Sequence, residues 1–149
     1  MPNFMQIRPG FSLVEMLIVI GMMALFAGFA SSVSVPMIRH AEFDRVRETV
    51  RNELVAAQAD TIAGTLDSSW GVAFFSNAVT RYKGGSYASR VTSYDRVTSF
   101  DNGVILSGAS DIAFNRPSGT PSSTATIVMT SGTLHATTTV SAVGAISIQ

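Results

Sequence analysis

Phe11 to Ala30 reads FSLVEMLIVIGMMALFAGFA, a run in which only Ser12 and Glu15 are neither apolar nor small. The next charge after Glu15 is Arg39. A helix of about 20 residues, rising about 1.5 Å per residue, matches a hydrocarbon core of about 30 Å, whereas buried soluble helices and signal-peptide apolar regions are usually shorter. The run predicts a transmembrane helix over 11–35, which sets how the rest of the chain is read.

Downstream, Phe43, Val46, Val50, Leu54 and Ala57 recur at steps of three and four among Arg, Asp, Glu, Gln and Asn. That period is an amphipathic helix, expected over 36–66. Pro36 lies between the two segments, where it removes a backbone donor and disfavours helical geometry at Val35, so a kink or short break is expected there. Gly64, followed by Asp67, Ser68 and Ser69, reads as the helix stop.

From Trp70 onward the composition turns to Ser, Thr, Val and Gly. Short runs at Trp70 to Phe75, Val79 to Lys83, Gly103 to Leu106, Asp111 to Phe114, Thr124 to Met129, Leu134 to Val140 and Ala145 to Ile148 read as strands. Turn chemistry separates them at Lys83-Gly84-Gly85, Asp101-Asn102-Gly103, Arg116 to Ser123, Ser131-Gly132 and Val143-Gly144. Strands this short and closely spaced favour antiparallel pairing. The expected fold class is therefore α+β: a long N-terminal helix, half transmembrane and half amphipathic, packed on a C-terminal antiparallel β-sheet or β-sandwich over 67–149.

Composition narrows the function. A chain of 149 residues suits one domain with an appendage. Lys plus Arg and Asp plus Glu both number 10, so no net charge draws the chain to a polyanion. The chain has no cysteine, which removes disulfide frameworks, thiolate nucleophiles and Cys-based zinc sites. His40 and His135 fall in different expected elements, and neither H-E-x-x-H nor G-x-S-x-G occurs. Asp95, Asp101 and Asp111 have no calcium-loop spacing. No enzyme, cofactor or metal is expected.

The informative constellation is Arg8-Pro9-Gly10-Phe11-Ser12-Leu13-Val14-Glu15, set directly before the apolar run. It resembles the cleavage and methylation signal of type IV pilins and pseudopilins. In that family a dedicated peptidase cuts after the Gly that ends a short cationic leader, and the new terminal residue, usually Phe, is N-methylated. The resemblance implies a leader over 1–10, cleavage between Gly10 and Phe11, N-methylation of Phe11, and an assembly role for Glu15. Further on, Ser69-Trp70-Gly71-Val72-Ala73-Phe74 and Ile112-Ala113-Phe114-Asn115-Arg116-Pro117-Ser118-Gly119 resemble segments of the H-type minor pseudopilins of type II secretion and of FimT-like minor pilins. Trp70 and Phe114 also read simply as core residues.

The resemblance implies a structural subunit of a type IV pilus-like or type II secretion pseudopilus filament. Its partners would be the prepilin peptidase, other pilin or pseudopilin subunits, the assembly platform and a membrane crossed once. The location implied is the bacterial inner membrane, with the C-terminal domain outside the cytoplasm, and then the filament. Arginines 39, 45, 47 and 51 outnumber Arg8, so positive charge alone favours the opposite orientation. An ionisable residue inside an apolar span is costly, and a partner such as the amine freed at Phe11, of its own or a neighbouring chain, would explain Glu15. A headgroup-level Glu15 without a partner is the plainer account. Two other readings stay open: a filament-tip binding module, adhesin or DNA receptor, and a secreted domain cut after Ala30. The tail 141–149 has no Lys or Arg, which disfavours nucleic acid.

Overall fold

The computed structural model describes residues 10–100 and 103–149, with the side chains of 29–36 left aside. Of the expected leader only Gly10 is within this range, and Asp101 and Asn102 of the expected turn fall outside it. Helix α1 spans Leu13–Ile62 and continues through Pro36, so the expected break there is absent. Two compact units divide the chain, the first ending at Ile38 and the second spanning Arg39–Gln149.

The expected fold class and location are both corrected. Among the described residues no helix is long and apolar enough to cross a membrane. The apolar side chains described in α1 run from Leu13 to Gly28, roughly 24 Å at about 1.5 Å per residue, against a hydrocarbon core of about 30 Å. Glu15 falls inside that stretch. The transmembrane half over 11–35 therefore drops out of the fold description, and with it the single pass through the bacterial inner membrane.

Among the described residues, the second unit joins the end of α1 to nine strands in two sheets. Strands β1 (Trp70–Phe75), β2 (Ala78–Lys83), β3 (Arg96–Ser99), β5 (Asp111–Asn115) and β6 (Thr120–Pro121) form a sheet in the order β3-β2-β1-β5-β6. Strands β4 (Ile105–Gly108), β7 (Ala125–Ser131), β8 (Leu134–Val140) and β9 (Ile146–Ile148) form the other, in the order β4-β7-β8-β9. Every pairing is antiparallel.

Phe43, Val46, Val50, Leu54 and Ala57 are buried together with Val72, Phe74, Ile112 and Phe114 of one sheet and Ile127, Met129 and Val140 of the other. The three- and four-residue spacing thus places one stripe of α1 in a core shared by both sheets. α1 stops where Gly64 takes φ 66, a left-handed conformation that costs glycine little. Thr61 ties this end to β1: its hydroxyl donates to Ala57 O at 2.8 Å and accepts from the Trp70 N–H at 2.9 Å. Gln58 Nε2 donates to Gly119 O at 2.9 Å and Gly144 O at 3.0 Å, so one amide fixes two loops.

Candidate functional site

Gly10 is exposed, with nothing within 4 Å of the position a Cβ would take, and Phe11 is 75% exposed. Ser12 stands just before α1, in the capping position. The Glu15 N–H donates to Ser12 O at 3.1 Å and lies 3.3 Å from Ser12 Oγ, while the Met16 N–H reaches Ser12 O at 3.2 Å. Ser12-x-x-Glu15 is thus the sequence of a capping box, with Glu15 in the first turn, where the helix dipole favours negative charge. That pattern was available in the sequence, and it gives Glu15 a structural reason beside any role in assembly.

Along the same segment Leu13, Val14, Met16, Leu17, Ile18, Ile20, Met22, Met23, Leu25 and Phe26 are all exposed. These positions cover every side of the helix, unlike the single buried stripe that follows from Phe43.

In the second unit, Arg81 on β2 is buried and faces α1. Its Nη1 donates to Asp60 Oδ2 at 3.0 Å, and its Nε stands 3.2 Å from Glu53 Oε2, an ion pair without hydrogen-bond alignment. A cleft of about 430 Å³ opens beside it, with Trp70, Tyr94, Asp95 and Arg96 in its lining. Its carboxylates are already committed, Asp60 to Arg81 and Asp95 to Arg90 Nε at 2.8 Å. Trp70 is buried in the core and donates through Nε1 to Thr65 O at 3.1 Å; Phe114 is fully buried.

On the opposite face of the same sheet, Tyr82 is fully buried across from Gly71 and donates to Asp111 Oδ2 at 3.0 Å. Burial first, then the Asp111 charge and the hydrogen bond to it, push the Tyr82 phenol well above its ordinary range. The segment after β2 folds over this face. Tyr87 holds it there, its N–H donating to Asp111 Oδ2 at 3.2 Å and its ring 5.6 Å from that of Tyr82. Arg90 braces the segment from within, its guanidinium 3.7 Å from the Tyr87 ring centroid and Nη1 donating to Tyr87 O at 2.9 Å.

His40 and His135 are both exposed and lie on α1 and β8. Asp95 and Asp111 each have hydrogen-bond partners, and Asp101 lies outside the described residues. Among the described residues no three His, Asp or Glu side chains gather as metal ligands. Neither a family model nor a curated protein nor a solved structure matches the chain.

Proposed function

We propose that this chain is a structural subunit, a minor pilin or pseudopilin, of a type IV pilus-like or type II secretion pseudopilus filament. Prepilin peptidase cuts between Gly10 and Phe11, Phe11 is methylated, and the subunit assembles through residues 11–26 with other pilin or pseudopilin subunits on an assembly platform. The chain acts by packing and carries no catalysis.

The observation that carries this reading is the apolar surface on all sides of the helix from Leu13 to Phe26, joined to a separately packed unit. A lone soluble chain rarely leaves so much contiguous apolar surface uncovered, and parallel copies of the same helix would cover it on every side. The open position of Gly10 and Phe11 suits access by a peptidase. Glu15 would meet the amine freed at Phe11, in its own chain or a neighbour's, and so set the register between subunits.

The test is intact mass and N-terminal sequencing of the protein recovered from cells with and without a prepilin peptidase. A mature chain that begins at methylated Phe11 only when the peptidase is present is the expected result. Cleavage near Ala30, or an uncut chain in both strains, would overturn it.

A further inference from the structure

Asp44, Glu48, Glu53, Asp60, Asp67 and Asp95 each stand within ion-pair distance of an arginine. Asp111 does not: among the described residues no cation stands within that distance. It sits half-buried at the start of β5, held by three uncharged donors. The Tyr82 hydroxyl and the Tyr87 N–H reach Oδ2 at 3.0 and 3.2 Å, and the Ser110 hydroxyl reaches Oδ1 at 3.4 Å. None of these donors carries a charge, so the carboxylate is left without a counter-ion. A carboxylate offers about four acceptor positions, so Oδ1 keeps one open.

Beside Asp111 lies a cavity of about 320 Å³ walled by Ala73, Phe75, Ala88 and Tyr87, with Ser86 and Ser110 also lining it. Phe75 is partly exposed there, edge to face with Tyr87 at 5.4 Å. The cation on this loop, Arg90, is committed to Asp95, the Tyr87 carbonyl and the Tyr87 ring. The pocket thus combines one uncompensated negative charge with apolar and aromatic walls.

We propose that this pocket receives the side chain of a lysine from another polypeptide. The methylene stem would lie on Phe75 and Ala88 and the ammonium would meet Asp111 Oδ1. The chemistry selects this occupant. An anion is repelled, and a neutral group leaves the half-buried charge uncompensated. A metal ion finds a single carboxylate. A guanidinium asks for two coplanar acceptors, and Oδ2 already accepts twice, whereas a compact ammonium needs one oxygen. The inference is independent of the filament reading, because any partner that presents a lysine satisfies it.

The test is NMR titration of the isotope-labelled full chain, kept monomeric in detergent. The probes are n-butylammonium, 1-butanol, a blocked lysine tripeptide and the same tripeptide Nε-acetylated. The expected result is saturable shifts at Phe75, Tyr87 and Asp111, with each charged probe binding about tenfold or more tightly than its neutral counterpart. Asp111→Asn, which keeps an acceptor for Tyr82, should abolish that preference while thermal unfolding shows the fold retained. Phe75→Ala, which alters a side chain outside the core, should weaken both charged probes. Equal binding of charged and neutral probes, or no saturable shift at these residues, would overturn the proposal. So would binding of butylammonium without the lysine peptide, which would assign the pocket to a small amine instead.

Discussion

Tyr82 lies across Gly71 so closely that a Cβ on the glycine would stand 2.5 Å from the phenol Cζ and Oη and 2.6 Å from Ile112 O. The pair is directly opposed across β1 and β2, and the ring fills the space a side chain would occupy. Ile112 O is backbone and cannot yield as a side-chain tip does. Gly71→Ala should therefore destabilise the fold by about 2 kcal/mol through overpacking. Urea denaturation measures it, and an unchanged midpoint would contradict the contact.

The same phenol makes stability depend on alkaline pH. Its value is raised in the folded state, by burial first and by Asp111 next, above an unfolded value of about 10. Above that pH the unfolded chain loses the proton while the folded chain retains it, so stability is complete below about pH 10 and falls as pH rises. Denaturation midpoints taken from about pH 9 to about pH 11 should decline, and Tyr82→Phe should flatten the decline. Equal slopes in the two proteins would exclude Tyr82 as the cause.

Arg81 joins β2 to α1 through Asp60 and Glu53, both partly buried. Removing it leaves two carboxylates without a cation, which costs more than the pair itself contributes. Arg81→Ala should lower stability by about 3 kcal/mol. Arg81→Met combined with Glu53→Gln and Asp60→Asn should recover most of the loss. If the triple variant is no more stable than the single one, the side chain acts by packing rather than by charge.

Those partners show what the sequence could and could not disclose. The stripe from Phe43 to Ala57 is legible because a buried helix face repeats with the helical period, and β1 and β8 because Trp70 to Phe75 and Leu134 to Val140 are bounded by clear turn residues. β3 escaped notice because Arg96 to Ser99 lie mostly exposed on a sheet edge and carry no alternation of apolar residues. β6 hid inside a proline-containing turn. The run from Phe11 suggested a bilayer span through its composition, yet the described apolar stretch is too short for one. Asp111 and Arg81 were unreadable as sites because their meaning depends on which charges the fold places beside them.

Thr138 is fully buried on β8, and its hydroxyl has no hydrogen-bond partner among the described residues. A buried hydroxyl left unpaired costs free energy that an apolar group of the same shape does not. Thr138→Val should raise stability by about 1 kcal/mol, read as a higher urea midpoint with unchanged slope. A loss of stability would mean that the hydroxyl has a partner.

Glu15 has two accounts, and one substitution separates them. As the fourth residue of a capping box it would need only to hydrogen-bond near Ser12, which glutamine does as well as glutamate. As the partner of an amine freed at Phe11 it needs its charge, which glutamine lacks. Under the filament proposal, Glu15→Gln should leave the helical circular dichroism signal unchanged and still be cut after Gly10, yet fail to enter filaments when they are sheared and blotted. Normal incorporation of the glutamine variant, with loss of helix only in Glu15→Ala, would reduce Glu15 to a cap and leave subunit register to the apolar side chains alone.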